Sequence, residues 1–364
     1  MVKKITIPMS KPSINQNERN QISKVIKTGW FSQGNITKEF ESKISKFLNS
    51  NIVSVNNGSS ALMCALLAHE IIPGDKIIVP AFTFIATASV PKILGAKIIP
   101  VDVDPKTLNI LPEKVEEIVK KEKIKAVIVV DVGGLSVDIE KFKKLSKKYN
   151  FILIEDAAEA FGSEYKNKKN GSFNHTSIFS FHIAKLITTI EGGCISTKNK
   201  IILKKLRLIR NHGKYDKIEY VHDMIGSNFR TTDLQSAIGI EQIKKIKKFL
   251  MQRNSIAKKY KKNIKKLEFQ KIPSYATNHS YMLFFAFCKN KNQRDKLFNH
   301  LKKHKIDVRK PWMPIHMQPC NQELHNLRYP NAENIFDKAI TLPIYNSMST
   351  KEVQHVIDSI MSIK

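Results

Sequence analysis

Seven short runs rich in β-branched and aliphatic residues recur along the first two-thirds of the chain, at 52–55, 76–79, 97–101, 126–130, 151–154, 177–181 and 194–196. Between them lie longer stretches with helical apolar spacing, such as 61–67, 112–123 and 139–148. Strands that are continuously apolar, and joined by helices, belong to a mostly parallel sheet covered on both faces. Near Ile243 the pattern changes to lysine-rich helical sequence, then an aromatic strand at 281–288, a helix at 293–303 and a proline-rich stretch ending at Leu342-Pro343. The expected architecture is α/β, with a large domain over residues 1–250 and a smaller α+β domain over 251–364.

Composition narrows the class. The 364 residues are 42% hydrophobic and 26% charged, with only 14 Gly and 14 Pro, so a core can form and disordered or collagen-like readings fall away. The run at 281–288 is far short of the ~20 apolar residues of a membrane helix, and residues 1–8 lack the apolar segment of a signal peptide. We therefore expect no membrane association and a cytoplasmic location. Cys64, Cys194, Cys288 and Cys320 are too widely spaced for a disulfide framework or a zinc site, so no metal is expected. The net charge of +29 invites a nucleic-acid reading. However, in the densest run the lysines alternate with Ile243, Ile246, Leu250, Ile256, Tyr260, Ile264 and Leu267, which form one apolar stripe at helical spacing and leave the lysines solvated. No nucleic-acid partner is expected.

Ligands of open parallel sheets sit at the carboxyl ends of the strands. After the first strand comes Asn56-Asn57-Gly58-Ser59-Ser60, opening a helix: an anion-binding turn, or a plain cap by Ser59 or Ser60. Glu155-Asp156 ends a later strand, where a carboxylate can hold a cationic ring nitrogen or cap a turn. Lys185 follows Ser180 in Ser180-Phe181-His182-Ile183-Ala184-Lys185, where an amine can form a Schiff base. Together these are the parts of a pyridoxal 5'-phosphate site: phosphate cradle, ring-nitrogen partner and amine.

Ordered motifs along almost the whole chain then closely resemble the sugar aminotransferases of the DegT/DnrJ/EryC1/StrS family. They include Thr28-Gly29-Trp30-Phe31-Ser32-Gln33-Gly34, Pro80-Ala81-Phe82-Thr83-Phe84-Ile85-Ala86-Thr87, Val101-Asp102-Val103-Asp104 and Glu155-Asp156-Ala157-Ala158-Glu159-Ala160. The stretch from Ser180 to Gly193, Asn211-His212-Gly213, Asn228-Phe229-Arg230 and Pro314-Ile315-His316 complete the set. The resemblance implies the type I aspartate-aminotransferase fold. It places Lys185 on the Schiff-base lysine and Asp156 on the carboxylate partner of the ring nitrogen. Gly58, Ser59, Ser60 and Ser180 fall on the phosphate cradle, and Phe84 on the aromatic that stacks on the ring. Asn228 falls on a residue that reaches the neighbouring subunit's phosphate, which implies a homodimer with shared sites. Glu159 stands where relatives carry His, Gln or Glu, to bond the cofactor or a sugar hydroxyl. His182, Arg230, Trp312 and His316 are substrate-side candidates, although His182 also reads as a packed neighbour and Arg230 as a loop-ordering residue.

The implied activity is ping-pong transfer of an amino group from L-glutamate to the keto carbon of a nucleotide-linked 4-keto-6-deoxy sugar. C4 is favoured over C3 because Glu159 resembles the perosamine-synthase type. The product would serve surface polysaccharide, O-antigen, glycan or antibiotic sugar synthesis. Relatives that act as dehydratases carry histidine in place of the lysine, so Lys185 argues for transamination. A silent regulator on the same fold is the remaining alternative. Two departures stand out. Ile190 replaces a glycine of the family's Gly-Glu-Gly-Gly turn, which is expected to change that turn because positive φ is costly for a β-branched residue. Asp131-Val132-Gly133-Gly134 replaces a loop that more commonly contains His or Tyr.

Overall fold

The structure is a computed structural model that describes residues 7–214 and 220–363. The first six residues, read above for a leader, lie outside the described residues. Strands β1 (Asn51–Val55), β2 (Lys76–Pro80), β3 (Lys97–Val101), β4 (Ala126–Val130), β5 (Ile152–Asp156), β6 (Thr176–Ser180) and β7 (Gly193–Thr197) form one sheet. Its order is β1-β7-β6-β5-β4-β2-β3. Only β7 is antiparallel, pairing with β1 on one side and β6 on the other. The remaining pairs are parallel, so the carboxyl ends of six strands open on one edge.

Helices α1 (Gln16–Thr28) and α2 (Asn35–Leu48) precede the sheet, while α3 (Gly58–Ala68), α4 (Ala86–Ile93), α5 (Pro112–Val119), α6 (Ile139–Tyr149) and α7 (Lys200–Arg210) flank it. Successive strand residues face opposite sides. Ile77 and Val79 of β2 pack with Leu62 and Leu66 of α3, whereas Ile78 between them packs with Phe142 of α6. All residues of β4, β6 and β7 are buried, as a sheet covered on both faces requires.

The expected lysine-rich stripe is realised in two helices, α8 (Asp233–Lys244) and α9 (Ile246–Asn263), that meet at Lys245. Ile243, Ile246, Leu250, Ile256, Tyr260 and Ile264 are buried, and Lys247, Lys248, Lys258 and Lys259 are exposed. The first half of α9 joins the large sheet's core through Phe249 and Leu250. Its second half joins another core through Ile256, Ala257 and Tyr260, which also takes in Ile7. That core contains the antiparallel strands β8 (Glu268–Phe269), β9 (Phe284–Phe287) and β10 (Ala339–Leu342). Helices α10 (Lys291–Lys303), α11 (Pro330–Lys338) and α12 (Thr350–Ser362) complete the C-terminal part. The aromatic strand is shorter than expected at its start. Tyr281 adopts φ +46°, and the carbonyls of Tyr281 and Met282 accept from Arg253 instead of a strand partner.

Lys185 lies on the connection from β6 to β7, and this connection corrects the expectation about Ile190. The turn keeps a left-handed residue there, at φ +74°. It is held by Phe181 N–H to Gly192 O (2.7 Å), Thr189 N–H to Phe181 O (2.9 Å) and Ile190 N–H to the Thr188 hydroxyl (2.8 Å). These bonds over-determine the backbone, so the strain stays in the isoleucine, which is half-exposed and gains little from burial. Ile190→Gly is expected to stabilise the fold by up to about 1 kcal/mol, the order of the left-handed penalty less glycine's extra chain entropy. Urea unfolding checks this, and a loss of stability would show that the isoleucine side chain packs usefully.

Candidate active site

A cavity of about 480 Å³ opens at the carboxyl ends of β1, β5 and β6, closed from above by residues that follow β2 and by Leu283 and Trp312. It brings together Gly58, Ser59, Phe84, Asp156, Glu159, Ser180, His182, Lys185 and Trp312.

Its floor is the amino end of α3. The cap is Asn57, whose Oδ1 accepts from the Ser60 N–H at 2.8 Å, and not Ser59 or Ser60. Asn57 sits in extended backbone at φ −164°, where its short side chain folds back on the first turn. The first amides of the helix have no intrahelical acceptor and carry the positive end of its dipole. A Cβ on Gly58 would lie 2.9 Å from the Ser180 Cβ, so only glycine lets α3 start hard against the end of β6. Gly58, Ser59 and Ser180 thereby line the cavity at the amino end of α3, where helix amides and hydroxyls can hold an anion.

One wall is built by β5. Glu155 and Asp156 are successive strand residues and serve opposite faces. The Glu155 carboxylate accepts from the Ser177 hydroxyl (2.6 Å), the Gly171 N–H (3.2 Å) and His175 Nε2 (3.1 Å), away from the cavity. Burial pushes its pKa up, but these partners win and hold it below the ordinary value. Asp156 faces the cavity. Its Oδ2 accepts from the Thr87 hydroxyl at 2.8 Å and its Oδ1 from the Ala158 N–H at 3.2 Å. Thr83 in turn lies 3.0 Å from Thr87, hydroxyl to hydroxyl. Burial dominates here and raises the Asp156 pKa.

Glu159 meets Lys185, Oε1 to Nζ, at 3.6 Å, while its Oε2 accepts from the Gly133 N–H at 2.8 Å. Burial raises its pKa, with the Lys185 charge opposing. The departure at Asp131-Val132-Gly133-Gly134 has a physical reason in this contact. Gly134, at φ +94°, would place a Cβ 1.9 Å from the Ser280 Oγ, and Ser280 donates to the Glu159 carbonyl at 2.8 Å. Gly133 holds the Glu159 carboxylate, and the missing side chain of Gly134 leaves room for Ser280 to hold its backbone.

At the mouth, His182 Nε2 stands 3.6 Å from Glu191 Oε1, and Phe84 meets Trp312 edge-on at 6.4 Å between centroids. Four expected residues do not line the cavity. Ser60 gives its amide to Asn57. Asn228 is exposed on a neighbouring loop, and Arg230 donates to Asn211 Oδ1 at 2.7 Å, which orders that loop. His316 is buried, lies 3.0 Å from Glu333 through Nε2 and packs against Tyr329. Reading the sequence missed Asn57, Thr83, Thr87, Glu191 and Leu283. The spacing of Thr83 and Thr87, one helical turn apart beside Phe84, was a usable signal; Leu283 comes from the distant C-terminal part and left none.

Asp156 allows a test on the protein alone. Its folded pKa lies above the unfolded value of about 3.9, so the folded state binds this proton more tightly. Ionisation therefore costs stability as pH rises through that value, until the folded pKa is passed. The stability of Asp156→Asn relative to wild type should climb from pH 4 to pH 7 in thermal melts. A flat or falling difference would mean that the bonds from Thr87 and Ala158 outweigh burial.

The chain matches the DegT/DnrJ/EryC1/StrS aminotransferase family over residues 12–361. It is similar to a GDP-perosamine synthase of Escherichia coli O157:H7, 35% identical over 359 residues, covering 97% of each chain. It is also 35% identical over 372 residues to a UDP-4-amino-4,6-dideoxy-N-acetyl-beta-L-altrosamine transaminase of Campylobacter jejuni, covering 98% of this chain and 97% of that one. Among solved structures, a Streptococcus pneumoniae protein in its PLP-form superposes with TM-score 0.91 at 26% identity, over 97% of each chain. With its mostly parallel sheet and C-terminal α+β part, the fold is the type I architecture that the motifs implied, and the chain belongs to the DegT/DnrJ/EryC1/StrS aminotransferase family.

Proposed function

We propose that this aminotransferase uses pyridoxal 5'-phosphate to move an amino group from L-glutamate to the C4 keto carbon of a nucleotide-linked 4-keto-6-deoxy sugar. The observation that carries the reading is the meeting of Lys185, Asp156 and the amino end of α3 in one cavity. The residues fit the cofactor: a cradle at Gly58 that a Cβ would fill, and a buried acid aimed at the same space. The amides of α3 with Ser59 and Ser180 would hold the phosphate, Asp156 the ring nitrogen, Lys185 the aldehyde carbon, and Phe84 the ring face. When bound, the cofactor supplies an electron sink and carries the amino group between the two substrates.

The chain's own residues do the rest. Burial raises the Asp156 pKa, and a cation lying against it would favour the charged form. Lys185 Nζ takes the proton from the donor's Cα, and Glu159, held by Gly133, orients that amine. Leu283 and Trp312 screen the cavity from water. Donor and acceptor use the same space in turn, which makes the kinetics ping-pong. The C4 preference follows the two relatives whose names carry perosamine and a 4-amino sugar; C3 is the alternative. A second copy of the chain, with Asn228 completing its neighbour's phosphate site, accounts for an exposed polar residue beside exposed Tyr220 and Ile225.

The test is incubation with L-glutamate and UDP-, GDP- and dTDP-linked keto sugars, scoring 2-oxoglutarate and product mass. Lys185→Ala and Lys185→Arg should give no turnover, and Asp156→Ala should lose about two decades in rate, near 3 kcal/mol. Normal turnover in either lysine variant would refute the assignment.

A further inference from the structure

The backbone beside Lys185 is held from the other part of the molecule. Asn346, which follows β10 and is 5% exposed, donates from Nδ2 to the carbonyl of Leu186 at 3.0 Å. Its Oδ1 accepts from Nε of Arg253 at 2.8 Å. Arg253, on α9, is 2% exposed, and its described partners are all neutral: Asn346 and the carbonyls of Tyr281 (2.8 Å) and Met282 (3.3 Å). Burial pulls its guanidinium down to about 10. A side-chain amide can face either way, but a guanidinium only donates. Arg253 therefore commits the amide oxygen to itself and turns the Nδ2 toward Leu186. The same guanidinium holds the two carbonyls before Leu283, which lines the same cavity as Lys185. One buried cation thus braces two segments of the site.

We propose that Asn346 is a positioning residue for Lys185, oriented by Arg253 so that its amide fixes the Leu186 carbonyl and with it the lysine turn. The proposal rests on the reading of Lys185 as the amine that holds the cofactor. A carboxylate at this place would give the buried guanidinium a counter-charge, at the cost of burying a second charge. A carboxylate, however, has no donor for Leu186. Asparagine is the short side chain that satisfies both neighbours.

Asn346→Asp separates the two roles. It keeps the acceptor for Arg253, loses the donor, and should melt at or above the wild-type temperature. Cofactor-free protein is mixed with pyridoxal phosphate, reduced with borohydride at timed intervals, and the Lys185 peptide weighed. Trapping at Lys185 should slow at least about tenfold, the scale of a sub-ångström misplacement of a reacting group. Binding of pyridoxamine phosphate, which has no aldehyde and needs only the phosphate and ring contacts, should stay unchanged. Asn346→Gln, which keeps both polar atoms on a longer stem, provides a second arm with an intermediate trapping rate. Wild-type trapping in both variants would overturn the proposal, as would equal losses of trapping and pyridoxamine phosphate binding. Wild-type protein that traps nothing at Lys185 would instead refute the cofactor reading itself.

Discussion

The Lys185–Glu159 ion pair, 3.6 Å long and largely removed from water, is the contact to which the rest of the site is fitted. Two charges in such a place are costly unless each finds further partners. Glu159 has the Gly133 amide at its carboxylate and Ser280 at its backbone; Lys185 has a turn closed by Phe181, Thr189 and Gly192, and Asn346 behind it. These supports come from four separated stretches of sequence. The sheet matters because it delivers the ends of β5 and β6 side by side, with the turn to antiparallel β7 carrying the lysine.

The parts that were legible in the sequence are those with local causes. Apolar runs gave the strands of the large sheet within a residue or two, and the stripe from Ile243 to Ile264 gave the buried face of α9. Lys185 and Asp156 could be read because each stands at a strand end within a recognisable motif. What stayed hidden depends on who arrives from elsewhere. Asn57, not the serines beside it, caps α3, because the cap depends on backbone angles that residue type alone does not fix. His316 read as a substrate-side candidate, yet Glu333 and Tyr329 enclose it away from the cavity lining. Ile190 was misjudged for a different reason: the penalty for positive φ is real, but several hydrogen bonds to the same turn outweigh it.

The charge of the chain and the charge of the cavity have opposite senses. Sixty-one basic residues against thirty-two acids mark the whole molecule, but the cavity is lined by one lysine and three carboxylates, Asp156, Glu159 and Glu191. Lysines on the solvated faces of α9 account for part of the excess and do not point into the site. On the proposed reading, anion recognition inside would rest largely on dipoles, the amides and hydroxyls around Gly58, whose positions the fold fixes.

This division suits a nucleotide-linked substrate. The long-range field of a strongly positive molecule draws in anions and is screened by salt over roughly 8 Å at physiological ionic strength. Close contact with fixed helix-terminal amides is screened far less, because water and ions are excluded. In the function proposed above, approach and retention would then be governed by different groups: surface lysines would set how often an anionic substrate arrives, while Gly58, Ser59 and Ser180 would hold a phosphate.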